Sequence, residues 1–131
     1  MSFRACGIIV IKDDKTILVE THKGRMSFPK GGLEKGETEF ECACRELQEE
    51  TGLEHTSLDI LPNITFDELT NSGKPSVRYY VGYLYKPYDN FKFDAEEINS
   101  AKWYTEDELM NLPNLKTQRK EIFKKVLELK N

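Results

Sequence analysis

The segment RELQEETG, Arg45 to Gly52, packs three glutamates and one arginine into a short charged run. Glu46, Glu49 and Glu50 stand three and four positions apart. On a helix those spacings put the side chains on neighbouring positions of one face. Glu46 and Glu50 then form a like-charge i,i+4 pair, which costs about 0.2–0.5 kcal/mol. Arg45 lies four before Glu49 and can pair with it, but one arginine cannot neutralise three carboxylates. A hard divalent ion can. Magnesium takes carboxylate oxygens, keeps several waters and shares its other positions with substrate phosphates. The competing reading is a solvated acidic face, because exposed charges cost little. Spacing alone leaves the two readings level.

The residues upstream tilt the balance toward a metal. Lys30-Gly31-Gly32 predicts a tight loop in which backbone can approach a ligand closely. Glu37 joins that loop to the start of the acidic helix. The sequence contains no GxxxxGK[ST] phosphate cradle. What it offers is a backbone carbonyl and several carboxylates that can meet at one ion.

These groups need a scaffold. A helix is expected from Thr38 to Thr51, with Thr38 as its cap, Glu41 completing a capping box and Gly52 ending it. At about 100° per residue, Phe40, Ala43, Leu47 and Thr51 share a packing face, and Glu39, Glu46, Glu49 and Glu50 lie on another. Strands are expected at Arg4 to Lys12 and Thr16 to Glu20, joined by a hairpin turn at Asp13-Asp14-Lys15. Arg25 to Lys30 reads as short extended chain stopped by Pro29. Ser57 to Leu69 reads as extended chain broken at Pro62-Asn63. A turn follows at Asn71 to Pro75, then a central strand at Val77 to Tyr85 that is apolar on both faces. Ala101 to Tyr104 is a shorter strand. Thr105 caps a short helix from Glu106 to Asn111, and a last helix runs from about Lys116 to Lys130. The order predicts one α+β domain over residues 1–131, with a mixed sheet between helices.

The bulk composition narrows the function. A chain of 131 residues can bury a core of its own. No apolar run approaches the roughly 20 residues of a membrane span, so no membrane role is expected. No signal or transit pattern stands at the start, and cytoplasm is the expected compartment. Cys6, Cys42 and Cys44 are an odd set without disulfide or zinc spacing. The net charge of −4 gives no general attraction to nucleic acid. A negative protein that handles phosphates needs local cations or bound metal.

Gly31, Glu37, Arg45, Glu46, Leu47, Glu49, Glu50, Gly52 and Leu53 together match the pattern G-x5-E-x7-R-E-U-x-E-E-x-G-U, where U is aliphatic. This is the Nudix box, matched without departure, and the whole chain resembles a Nudix hydrolase. The resemblance implies an α/β/α sandwich that hydrolyses a nucleoside diphosphate linked to another moiety. It implies that Glu46, Glu49 and Glu50 bind metal, with the Gly31 carbonyl as a further ligand. Arg45 would orient a glutamate, Glu37 would hold the loop on the helix, and Gly52 would serve structure. The general base would be Glu46 or Glu50. Glu97 is the candidate for the distal acid that many members use. The cofactor implied is Mg2+, with Mn2+ as a substitute.

Substrate choice rests on thinner resemblances. Arg4 to Ile9, Pro29-Lys30-Gly31 and Lys74-Pro75 with Tyr79-Tyr80 are similar to asymmetric diadenosine tetraphosphate hydrolases. On that comparison Tyr80 would stack on a base. Arg4, Arg25 and Lys30 would contact substrate, and Lys35 and Arg78 are further basic candidates near the mouth. The expected partner is a small phosphorylated molecule, a nucleotide in the leading reading. Phe28 to Gly32 is equally similar to diphosphoinositol polyphosphate hydrolases, and the Pro-Lys-Gly lead-in also occurs in mRNA-decapping members. RNA is the less favoured partner. The last helix carries Lys116, Arg119, Lys120, Lys124 and Lys125 with Glu121 and Glu128 interleaved, and reads as a solvated amphipathic helix. Nucleoside triphosphate pyrophosphohydrolysis, and a nucleotide sensor without turnover, complete the alternatives.

Overall fold

The computed structural model describes residues 3–129. Strand β1, Ala5–Lys12, is apolar at every interior position because both its faces are covered. Cys6, Ile8 and Val10 point into one layer, and Ile9 and Ile11 into the other. Strand β2, Lys15–Thr21, follows as a hairpin. Asp13 and Asp14 in its turn have φ of 50° and 64°. That pair of positive angles matches strand twist, and aspartate tolerates it better than most residues.

β1 and β2 pair only at Ile11–Thr16 and Lys12–Lys15, then diverge. The chain fills the gap with β3, Met26–Ser27, on β2, and β4, Lys30–Gly32, on β1. This corrects the expected loop at Gly31-Gly32. Those glycines are strand residues, opposite Cys6 and Ala5. Pairing with β1 overrides their weak strand propensity.

β5, Asp59–Leu69, and β6, Pro75–Tyr83, are antiparallel, and β6 runs parallel to β1. The register of β5 shifts between Ile60 and Thr65, around Asn63 with φ of 59°. That is the break read at Pro62-Asn63. β7, Ile98–Tyr104, pairs with β2 and completes a seven-stranded mixed sheet.

Helix α1, Glu39–Thr51, covers one face. Its Cys42, Ala43 and Leu47 join Cys6, Ile8, Val10, Ile17 and Leu53 in one core layer. Burying a side chain such as Leu47 fully is worth about 1.5–3 kcal/mol. Phe40 was expected on that packing face. It is half-buried instead, edge-on to Tyr80 and His55, and Cys42 takes the core position. Helices α2, Glu106–Met110, and α3, Thr117–Glu128, cover the other face. Leu109, Ile122, Phe123 and Val126 pack there on Ile9, Ile11, Val77, Tyr79 and Val81. The result is the α/β/α sandwich. The expected end of the last helix, Lys130, lies outside the described residues. Among the described residues, no helix is long and apolar enough to cross a membrane.

Candidate active site

Helix α1 is fixed at both ends. The Thr38 hydroxyl accepts from the Glu41 amide at 3.1 Å, and the Glu41 carboxylate accepts from the Thr38 amide at 2.9 Å. At the far end Gly52 has φ of 82°, and its amide donates to the Gln48 carbonyl at 2.8 Å. The register of the acidic face is therefore set by local chemistry.

Arg45 is the hub of that face. Its Nε donates to Glu37 at 2.6 Å, and Nη2 donates to Glu37 at 3.0 Å and to the Gly32 carbonyl at 2.9 Å. Nη1 donates to Glu46 at 3.0 Å and to Glu49 at 3.1 Å. The Arg45 hydrogen bonds, with the Glu34 amide, hold the Glu37 carboxyl down at about 2. Arg45 thus contacts Glu37, Glu46 and Glu49, and its bond to the Gly32 carbonyl joins β4 to α1.

Glu46 and Glu50 turn toward β4, and Glu49 is exposed. The Glu46 carboxyl group lies against Gly31, where a Cβ would collide with it. Burial raises the proton affinity of Glu46, against the pull of Arg45, and the charges of Glu49 and Glu97 raise it further. The Glu50 carboxylate accepts from the Lys30 amide at 3.0 Å. Burial pushes Glu50 up to about 8; the Lys30 amide opposes this, and the Glu46 charge adds to it. The Gly31 carbonyl accepts weakly from the Cys42 thiol at 3.4 Å.

Among the described residues, no three acidic, histidine or cysteine side chains converge as a ready-made metal cage. The donors nevertheless suit a hard divalent cation in kind. They are carboxylate oxygens, two of them half-buried and made reluctant to ionise by burial and by one another's charge. A cation beside Glu46 and Glu50 would relieve that reluctance.

A cleft of about 440 Å³ opens at Lys30, whose amide donates to Glu50; Glu46, Glu49 and Glu50 do not line it. It is lined by Lys23, Arg25 and Lys30 from the β2–β4 stretch, Lys116 and Arg119 from the start of α3, and Glu96 and Glu97 from the loop before β7. Lys30 spans both regions. Its backbone holds Glu50 while its side chain faces the cleft. Burial lowers the Lys30 pKa, and the charges of Arg119 and Lys116 lower it further, against Glu50 and Glu68. Cations crowded in this way favour a bound polyanion.

Arg119 corrects the reading of α3 as simply solvated. It is 5% exposed. Its Nε and Nη2 donate to Glu68 at 2.8 and 3.2 Å, and Nη1 donates to the Met26 carbonyl at 2.9 Å. The Tyr79 hydroxyl also donates to Glu68, at 3.0 Å. Burial alone would raise the Glu68 pKa, but the Arg119 hydrogen bonds hold it down. A sequence signal existed. Arg119 precedes Ile122, Phe123 and Val126 by three, four and seven positions, on their apolar stripe. His22, Lys23 and Ser27 also line the cleft, and no pattern in the sequence marks them.

Of the residues expected to contact substrate, Arg25 and Lys30 line the cleft. Tyr80 does not. It packs against Phe40 with ring centroids 5.1 Å apart, on the α1 side of the sheet. Alternation along β6 explains this, since Tyr79 takes the α3 side and Tyr80 must take the other. Arg4 is exposed just before β1 and also lies outside the cleft. Arg78 is engaged by Glu39 and Asp67 and lies over the Phe3 ring.

The NUDIX domain profile matches residues 1–126 of the chain. The chain is 30% identical over 126 residues to the rat asymmetrical bis(5'-nucleosyl)-tetraphosphatase, a match covering 86% of this chain and 85% of that protein. It is 35% identical over 98 residues to mRNA decapping complex subunit 2 of Schizosaccharomyces pombe, covering 74% of this chain but 12% of that protein. A decapping relative from a mimivirus is spanned over 25% of its length. A crystal structure of a C. elegans Ap4A hydrolase binary complex superposes with a TM-score of 0.83, covering 95% of this chain and 96% of that one, at 20% identity.

Proposed function

The chain belongs to the Nudix family, and from that premise we propose that it hydrolyses a phosphoanhydride bond of a dinucleoside polyphosphate such as diadenosine tetraphosphate. The reading rests on Lys30, which joins an acidic helix face to a basic cleft. Cations in the cleft suit the phosphate chain. Carboxylates at its edge suit the reacting phosphorus centre. A protein with net charge −4 gathers positive charge this way only locally.

Glu46, Glu49, Glu50, Glu97 and the Gly31 carbonyl are the groups that would hold the cation, with magnesium as the ion and manganese as its substitute. An ion held there would supply charge neutralisation at the anhydride oxygens and a lower pKa for the attacking water. Arg45 keeps Glu46 in line with Gly31. Either Glu46, held by Arg45, or Glu50, held by the Lys30 amide, takes up the water's proton. Lys23, Arg25, Lys30 and Lys116 bind the polyphosphate. The three free thiols suit a reducing, cytoplasmic setting.

Similarity to the decapping subunit favours capped RNA as a second reading. A substrate panel with magnesium separates the readings. It contains diadenosine tetraphosphate, a diphosphoinositol polyphosphate, capped RNA and oxidised nucleoside triphosphates. The tetraphosphate should give a kcat/KM at least about tenfold above the others, or roughly 1.4 kcal/mol in transition-state binding. Equal cleavage of all four would remove it as the leading substrate. Tight binding of one without turnover would make the protein a sensor.

A further inference from the structure

The loop that carries Glu97 is built to hold one shape. The Asp94 carbonyl accepts from the Glu97 amide at 2.9 Å and from the Ile98 amide at 3.0 Å, and the Asp94 carboxylate accepts from the Glu96 amide at 2.9 Å. Ile98 anchors the end of this turn in a small cluster with Val19 and Ala101, flanked by Phe91 and Phe93. These contacts fix the turn internally and at its base. None of them holds the Ala95 carbonyl at its tip.

His22 does. It follows β2, the strand that pairs with β7, and is separated from the loop by more than seventy residues of chain. Its Nε2 lies 2.8 Å from the Ala95 carbonyl. That oxygen can only accept, so Nε2 carries the hydrogen. A second strap lies beside it, where the Asn99 amide donates to the Thr21 carbonyl at 3.3 Å. Thr21, His22, Glu96 and Glu97 all line the same cleft. We propose that His22 is a positioning residue, whose hydrogen bond to Ala95 holds Glu97 at the cleft.

The inference deepens the hydrolase reading and rests on it for the role of Glu97. The tether itself is independent of any reaction. Its absence would leave Glu97 on a turn hinged only at its base, so the acid would spend less time at the cleft. Substrate cations elsewhere in the cleft would be untouched.

The test uses His22→Ala and His22→Gln, since the glutamine Nε2 can still donate to Ala95. Amide hydrogen exchange in residues 94–98, measured without metal or substrate, should rise roughly five- to tenfold in His22→Ala, the scale of one lost hydrogen bond. His22→Gln should keep most of the protection. Mn2+ binding followed by its electron paramagnetic resonance signal should weaken severalfold in His22→Ala. In turnover, kcat should fall with KM little changed. In a Glu97→Gln background, adding His22→Ala should change kcat no further. Unchanged exchange in His22→Ala would overturn the tether. Raised exchange with the same kcat loss in both backgrounds would overturn its action through Glu97. A protein that cleaves nothing would refute the hydrolase reading, and exchange and Mn2+ binding would still decide the tether.

Discussion

The Glu46 carboxyl group rests directly on the backbone of Gly31, in the space where any other residue would carry its Cβ. A side chain at 31 must displace the carboxylate, and Arg45 with it, since Arg45 Nη1 donates to Glu46 at 3.0 Å. Gly31→Ala should therefore lower kcat by roughly a hundredfold, the cost of misplacing a catalytic group by about 1 Å. Because β4 pairs through its backbone, the fold should survive. Steady-state kinetics beside a circular-dichroism melt checks both halves. Normal turnover in the variant would break the link between Gly31 and Glu46.

Glu37 makes a prediction about acid stability. Its carboxyl is held at about 2, against an ordinary value of 4.5, chiefly by Arg45. The folded state therefore releases this proton more readily than the unfolded chain does. The resulting stability is fully present above about pH 4.5 and is lost as pH falls toward 2. Glu37→Gln removes the titrating group. The difference in urea midpoint between wild type and variant should shrink steadily across that window. A constant difference from pH 6 to pH 2.5 would contradict the assignment.

The buried pair of Glu68 and Arg119 predicts a large asymmetry. Arg119→Met leaves a buried carboxylate without its main partner and should cost about 3–5 kcal/mol. Pairing it with Glu68→Leu removes both charges and should recover much of that loss, because apolar replacements of buried ion pairs are often neutral. Equilibrium unfolding of the single and double variants measures this. Equal destabilisation by both would show that the pair's charge is not what matters.

Local chemistry explains which parts of this account were legible from sequence. The capping box at Thr38 and Glu41, the Asp13-Asp14 turn and the Gly52 terminus depend on residues within a few positions of one another, and each forms as expected. The Glu37–Arg45–Glu46 grouping was legible only through the resemblance to the Nudix box, since spacing pairs Arg45 with Glu49. Several departures from expectation depended on distant partners. Gly31-Gly32 became a strand because β1 lies beside it. Arg119 became buried because Glu68 waits on β5, 51 positions away. Tyr80 turned from the cleft because its neighbour Tyr79 took the α3 side to reach Glu68. Spacing cannot report which of two adjacent strand residues finds a polar partner across the sheet.

The carboxylate that the Lys30 amide holds at 3.0 Å ties the acidic helix to the basic cleft, so Glu50→Gln tests the central claim most directly. The substitution keeps size and shape and removes the ionisable group. With magnesium and diadenosine tetraphosphate, kcat should fall about 10²–10⁴-fold, the range for losing an acid–base group, while the melting temperature is held or raised. Turnover within a few-fold of wild type would contradict the account.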